Sequence, residues 1–184
     1  MITTIPSQLY VNNISKHLDE IRRTYIKLSG RGMIYGLMCI DQDAKVIAVN
    51  EWFDKSINVW DLSALGAAMY GVSRQGMEYF KAEGLERGSM IFKDKQFFSY
   101  SIGTFNLDEK ANRELLILVL CDRKVNIGLI ILQMKKYAAE IREEIEKNSK
   151  IKDTLKLSEE QMRQHIKDIK ADLFRQAKSM NLVS

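Results

Sequence analysis

ELLILVLCDRKVNIGLIILQMKKYAAEI, residues 114–141, is the stretch that decides how this chain folds. It opens with an unbroken apolar run, Leu115-Leu116-Ile117-Leu118-Val119-Leu120-Cys121. The run is far shorter than the roughly 20 residues a membrane-spanning helix needs. Bounded by charges, it reads as a strand buried on both faces. Asp122-Arg123-Lys124 breaks the pattern, and from Asn126 the apolar residues return at helical spacing: Ile127, Ile130, Ile131, Met134, Ala138 and Ile141. A buried central strand therefore feeds a helix that folds back on the sheet.

Working toward the N-terminus, Ile14, Leu18, Ile21, Tyr25 and Leu28 mark one face of a helix that starts near Ser7 or Asn13 and closes at Gly30. Residues 33–40 read as a strand, Asp41-Gln42-Asp43-Ala44 as a polar turn, and residues 45–49 as the hairpin partner. Trp52 and Phe53 follow, placed to cover an edge of the core. A second helix spans about Val59 to Glu83 and ends at Gly84. Its middle is rich in small residues (Ala64, Gly66, Ala67, Ala68, Gly71), and each interior glycine costs about 1 kcal/mol relative to alanine. Such a helix suits a place where another backbone comes close. Strands are expected at 89–93, 96–102 and 115–121, with a polar surface loop at 104–112 between the last two. The order helix, two strands, helix, three strands, helix, with tight turns between strands, implies an α+β fold: a five-stranded antiparallel sheet with helices on its faces.

Asn148-Ser149 marks a joint, so the chain divides into a domain at 1–147 and a helical C-terminal extension at 148–184. In the extension Leu155, Met162, Ile166, Ile169, Leu173, Ala177 and Met180 form an apolar stripe, from Met162 close to a short heptad seam, and Ser158 with Gln161 has capping-box spacing. A lone helix of this length is marginal in water and needs something to pack on. Its own domain, a second copy and a partner are all open.

The chain has 184 residues, 46% of them hydrophobic, which is enough for one sizeable core. Lys and Arg number 28 against 24 Asp and Glu, an excess too small and too dispersed to indicate a nucleic-acid surface. Cys39 and Cys121 lie in apolar runs, as buried free thiols do in a reducing cytoplasm; a disulfide would need their strands adjacent. The first residues, MITTIPSQLYVNN, lack the pattern of a signal peptide, and no apolar run is long enough to span a bilayer. A cytoplasmic protein without a transmembrane segment is expected.

Motifs for chemistry are missing from the sequence. His17 and His165 fall among charged residues on the first and last helices. There is no Cys-x-x-Cys, His-Glu-x-x-His or calcium-loop spacing, no phosphate-cradling loop ending in Gly-Lys-Ser/Thr, and no Gly-x-Ser-x-Gly elbow. Asp41, Asp43, Asp61 and Asp122 sit at element ends, where capping accounts for them. The expectation is no catalytic residue, no metal and no cofactor.

Over about residues 8–146 the chain resembles the roadblock / dynein light-chain family, in its archaeal or bacterial type. The resemblance rests on the hydrophobic last strand, the short charged turn, and Asn126-Ile127-Gly128 leading to Met134, with the small-residue helix of Ala64 to Gly71 before three strands. It departs at the first hairpin, where the family commonly has Asp-Gly and this chain has Asp43-Ala44. The resemblance implies a non-catalytic scaffold that pairs with itself or a related roadblock protein. Pairing would join the strand after the middle helix (Ser89, Met90, Ile91, Phe92) to its mate and stack the middle helices (Leu65, Ala68, Met69, Val72). It also implies a small Ras-like GTPase as client, with Met162, Ile166, Ile169 and Leu173 of the extension adding a contact. Two other classes share much of this element order. A longin-like trafficking module would begin at its first strand, and a PAS- or GAF-like small-molecule sensor would signal through its C-terminal helix.

Overall fold

The computed structural model describes Ile5, Leu9, residues 12–108 and 111–157, and Gln161, Gln164, Lys167 and Asp168. Helix α1 (Asn13–Leu28) starts where the Asn12 side chain accepts the Ser15 N–H at 2.8 Å, and it stops where Gly30 turns left-handed at φ +59°. Strands β1 (Ile34–Asp41) and β2 (Val46–Val49) form the first hairpin. Helix α2 (Val59–Phe80) follows. Then come β3 (Arg87–Ile91), β4 (Lys95–Asp108), β5 (Ala111–Asp122), α3 (Ile127–Lys147) and α4 (Ser149–Lys156). All pairings are antiparallel and the strand order is β2-β1-β5-β4-β3, which puts the apolar run of β5 at the centre of the sheet.

That run serves two cores. Successive side chains of a strand point to opposite faces. Leu115, Ile117, Val119 and Cys121 meet α1 and α3 on one face, while Leu116 and Leu118 meet α2 on the other. Burial on both sides is why the sequence shows no alternation here. The second core also contains Ile5 and Leu9, which nothing in the sequence singled out. Tyr25 ties α1 to α3: its hydroxyl donates to the Arg31 carbonyl at 2.6 Å and accepts the Asn126 N–H at 3.0 Å. Cys39 and Cys121 lie on adjacent strands, yet Cys39 stands opposite Ile117 and Cys121 opposite Ile34, so register keeps both thiols free. Burial pushes each thiol up to about 12.

Four expectations need correcting. The polar loop expected at 104–112 is an extension of the β4–β5 hairpin, paired from Thr104 opposite Glu114 to Asn106 opposite Asn112. Helix α2 ends at Phe80 rather than near Glu83, because Lys81 turns left-handed at φ 54° and its N–H closes on the Met77 carbonyl. Strand β3 starts two residues earlier than expected and ends at Ile91, leaving Phe92 and Lys93 outside it. Trp52 does not cover the core: it is 61% exposed beneath the Arg22 guanidinium, and Phe53 alone turns inward, its ring over Gly36.

The joint at Asn148 is sharp. Its N–H caps α3 on the Ile145 carbonyl and its side chain accepts the Ile151 N–H at 3.2 Å, starting α4. Helix α4 folds back on the domain and buries Leu155 completely in the first core. Met162, Ile166, Ile169 and Leu173 lie outside the described residues. Gln161, Gln164, Lys167 and Asp168 are helical and exposed, consistent with the polar side of the stripe. No helix among the described residues is long and apolar enough to cross a membrane.

Candidate functional site

Helix α2 has two unlike faces. Val59, Leu62, Ser63, Gly66 and Tyr70 are buried toward the sheet. Gly66 is there for close approach: a Cβ on it would lie 2.3 Å from a methyl of Leu118. About 140° around the helix from that face, Leu65, Val72 and Tyr79 recur every seven residues and project outward. Val72 is 71% exposed and Tyr79 87% exposed, high values for apolar and aromatic side chains on an ordered helix.

Strand β3 lies at the edge of the sheet and pairs only with β4 among the described residues, so its outer N–H and C=O groups face no strand. Ile91 and Phe92 are exposed beside it. Gly88 of β3 lies against the Met69 side chain of α2, and the residues expected to pair divide into two groups. Leu65, Ala68, Val72, Ser89, Ile91 and Phe92 face outward, whereas Met69 and Met90 are half-buried against the second core. Tyr79 and Phe80 extend the exposed surface and were missed; the seven-residue spacing Leu65-Val72-Tyr79 was the available signal.

Beyond Tyr70 no residue of α2 is buried, because the helix runs away from the sheet. The gap is an open, largely polar cleft of about 750 Å³. Tyr70, Arg74 and Met77 of α2 form one wall and Glu83 to Glu86 the rim. Gln42, Ser101, Thr104, Asn112 and Glu114 make the floor. Glu114 is held in place: Ser101 Oγ donates to one carboxylate oxygen and Thr104 Oγ1 to the other at 2.9 Å, and its N–H donates to Gln42 Oε1 at 3.1 Å. Burial raises the Tyr70 hydroxyl above its usual range, with nearby Glu114 adding to the effect. At the rim Glu86 pairs with Lys135 of α3 at 2.9 Å, which lowers its carboxyl.

A second polar group lies at the end of the sheet beside the cleft. Asp41 and Lys45 are both buried, with Lys45 Nζ 3.4 Å from Asp41 Oδ2. Lys45 Nζ also donates to the Leu155 carbonyl at 2.9 Å, and Arg113 Nε reaches the same oxygen at 3.3 Å. Arg113 in turn pairs with Asp43 at 2.7 Å. Two cations thus hold the carbonyl end of α4, the negative end of its dipole. Burial raises the Asp41 carboxyl, opposed by the turn N–H of Lys45 and by its ammonium.

His17 does not belong to this side: it lies on α1, packs against Tyr137 and pairs with Glu140 at 3.3 Å, while His165 lies outside the described residues. Among the described residues no three His, Cys, Asp or Glu side chains converge as metal ligands would.

No family model matches the sequence, and no curated protein matches it. Solved structures do match in shape. The gliding protein MglB of Thermus thermophilus superposes with a TM-score of 0.56 at 14% identity, over 79% of this chain and 100% of that one. MglB of Myxococcus xanthus gives 0.55 at 12% identity, over 75% and 98%. A Roadblock/LC7 domain from Streptomyces avermitilis gives 0.51 at 13% identity, over 68% and 95%. This chain has the roadblock fold.

Proposed function

We propose that the protein is a non-catalytic, dimeric roadblock platform that binds a small Ras-like GTPase. The observation that carries the reading is the outer stripe of α2, Leu65, Val72 and Tyr79, lying on the same side as the open edge of β3 with Ile91 and Phe92. Large apolar side chains grouped on a folded surface mark a place of association. Joining β3 to its counterpart in a second copy would satisfy the open strand edge, and the α2 stripes would then cover one another. Self-association has a precedent on this fold, since one similar structure, with a TM-score of 0.56, is described as MglB with a tetrameric arrangement. The GTPase follows from the family resemblance, and Met162, Ile166, Ile169 and Leu173 of the extension add a contact to it.

Light scattering tests the dimer first. The full chain of 21.3 kDa is expected at twice that mass at micromolar concentration, and Val72→Glu with Tyr79→Glu at the monomer mass. A wild-type monomer across the micromolar range ends the dimer reading. Capture of nucleotide-loaded small GTPases from the same organism tests the client, and no enrichment in any nucleotide state ends that part.

A further inference from the structure

The cleft beneath the second half of α2 opens where the chain leaves the domain. Lys45 and Arg113 fix the Leu155 carbonyl at the end of the sheet. Arg113 lies between Asn112 and Glu114, which line the cleft from the opposite face of β5, and Gln42 of the cleft lies between the latch carboxylates Asp41 and Asp43. The extension therefore starts on the opposite face of the sheet, one strand's thickness from the floor of the cleft.

We infer that the cleft is the seat of the chain's own C-terminal segment, residues 169–184. Charge favours this occupant: the cleft lining carries Glu83, Glu86 and Glu114 against Arg74, with Glu86 paired to Lys135, and the segment carries Lys170, Arg175 and Lys178 against Asp172. Apolar chemistry favours it too, because Tyr70, Met77 and Leu85 in the cleft are matched by Leu173 and Phe174 in the segment. Length is sufficient. Eleven residues (158–168) advance about 16 Å even at the short rise of a helix, and sixteen further residues can return over as much as roughly 50 Å when extended. Tethering supplies an effective concentration in the millimolar range, so the chain's own segment outcompetes that of a second copy at micromolar concentration. The outer stripe of α2 faces away from the cleft, so the seat is independent of pairing through that stripe. Met162 and Ile166 precede the seated segment and stay available to a partner, whereas Ile169 and Leu173 must leave the cleft to reach one.

The test attaches a nitroxide to the full chain through Ser179→Cys. Cys39 and Cys121 are buried with thiols near 12, so the label goes to the introduced thiol. With the chain 15N-labelled, the amides of residues 74–86 and 112–114 are expected to lose most of their intensity while those of α1 keep theirs. Arg175→Glu with Lys178→Glu is expected to restore the lost signals. Intact cleft amides overturn the proposal. So does a loss that persists when nitroxide-bearing 14N chain is mixed with nitroxide-free 15N chain, which would place the segment in the cleft of another copy.

Discussion

Ala44 occupies a conformation that suits glycine, at φ +66° in the turn between β1 and β2. Asp41 holds the turn closed, its Oδ1 accepting the N–H of both Asp43 and Lys45 at 2.9 Å. The departure from Asp-Gly therefore changes the residue and leaves the left-handed turn in place. A left-handed alanine is disfavoured by about 1 kcal/mol or more, so Ala44→Gly is expected to raise the urea midpoint without changing the slope of the transition. Gly66 gives the opposite expectation. Gly66→Ala pushes a methyl into Leu118 in a filled core and is expected to cost about 1–3 kcal/mol in the same measurement. Gly71, five residues on, has no atom within 4 Å of where a Cβ would stand. Five residues turn an α-helix by about 140° beyond a full turn, so Gly66 faces the sheet and Gly71 does not.

Elements were legible where one periodicity ruled. Helices α1 and α3 have a single buried face, and their spacing located them to within a residue or two. The end of α2 was not legible, because a helix apolar on two faces offers no polar side by which to judge its course. The β4–β5 extension was hidden for a different reason. Beyond the end of β1 the hairpin is covered on one face by α3 and α4, which bury Ile102 and Phe105, while the other face forms the polar floor of the cleft. Polar residues such as Asn106 and Asn112 on that open face read as loop. The family pattern named the residues of the proposed pairing surface together, and Met69 and Met90, half-buried against the second core, were not separable from the exposed ones without knowing which way each side chain turns.

At the scale of the whole molecule, Asp122 contributes to acid stability with a definite sign. The Tyr35 hydroxyl donates to Asp122 at 2.7 Å and the Met33 N–H at 2.8 Å, and together they hold the Asp122 carboxyl below its ordinary 3.8. The folded state therefore favours the ionised carboxylate. Its contribution is present above pH 4 and is lost as pH falls through the lowered folded value. Asp122→Asn is expected to lower the urea midpoint at pH 7 and to remove part of the wild type's loss of stability below pH 4. Equal acid slopes in the two proteins would show that these hydrogen bonds do not act on the charge. The N-terminal contribution to the second core was the part of the whole that could not be foreseen, since Ile5 and Leu9 stand apart in a polar stretch with no period to reveal them.

The central strand has a consequence for how the chain finds its fold. A strand with one buried face is aligned by its own alternation, because a slip of one residue turns its apolar set to water. β5 has no such guide, since Leu115 to Cys121 is apolar at every position and a slipped strand would bury nearly the same surface. Its alignment has to come from the polar residues that close it, Glu114 against Ser101 and Thr104 at one end and Asp122 against Tyr35 and Met33 at the other. These two carboxylates act as the indexing marks of the sheet. Without them the hydrophobic run could assemble a core and still misplace every surface that the core is there to hold.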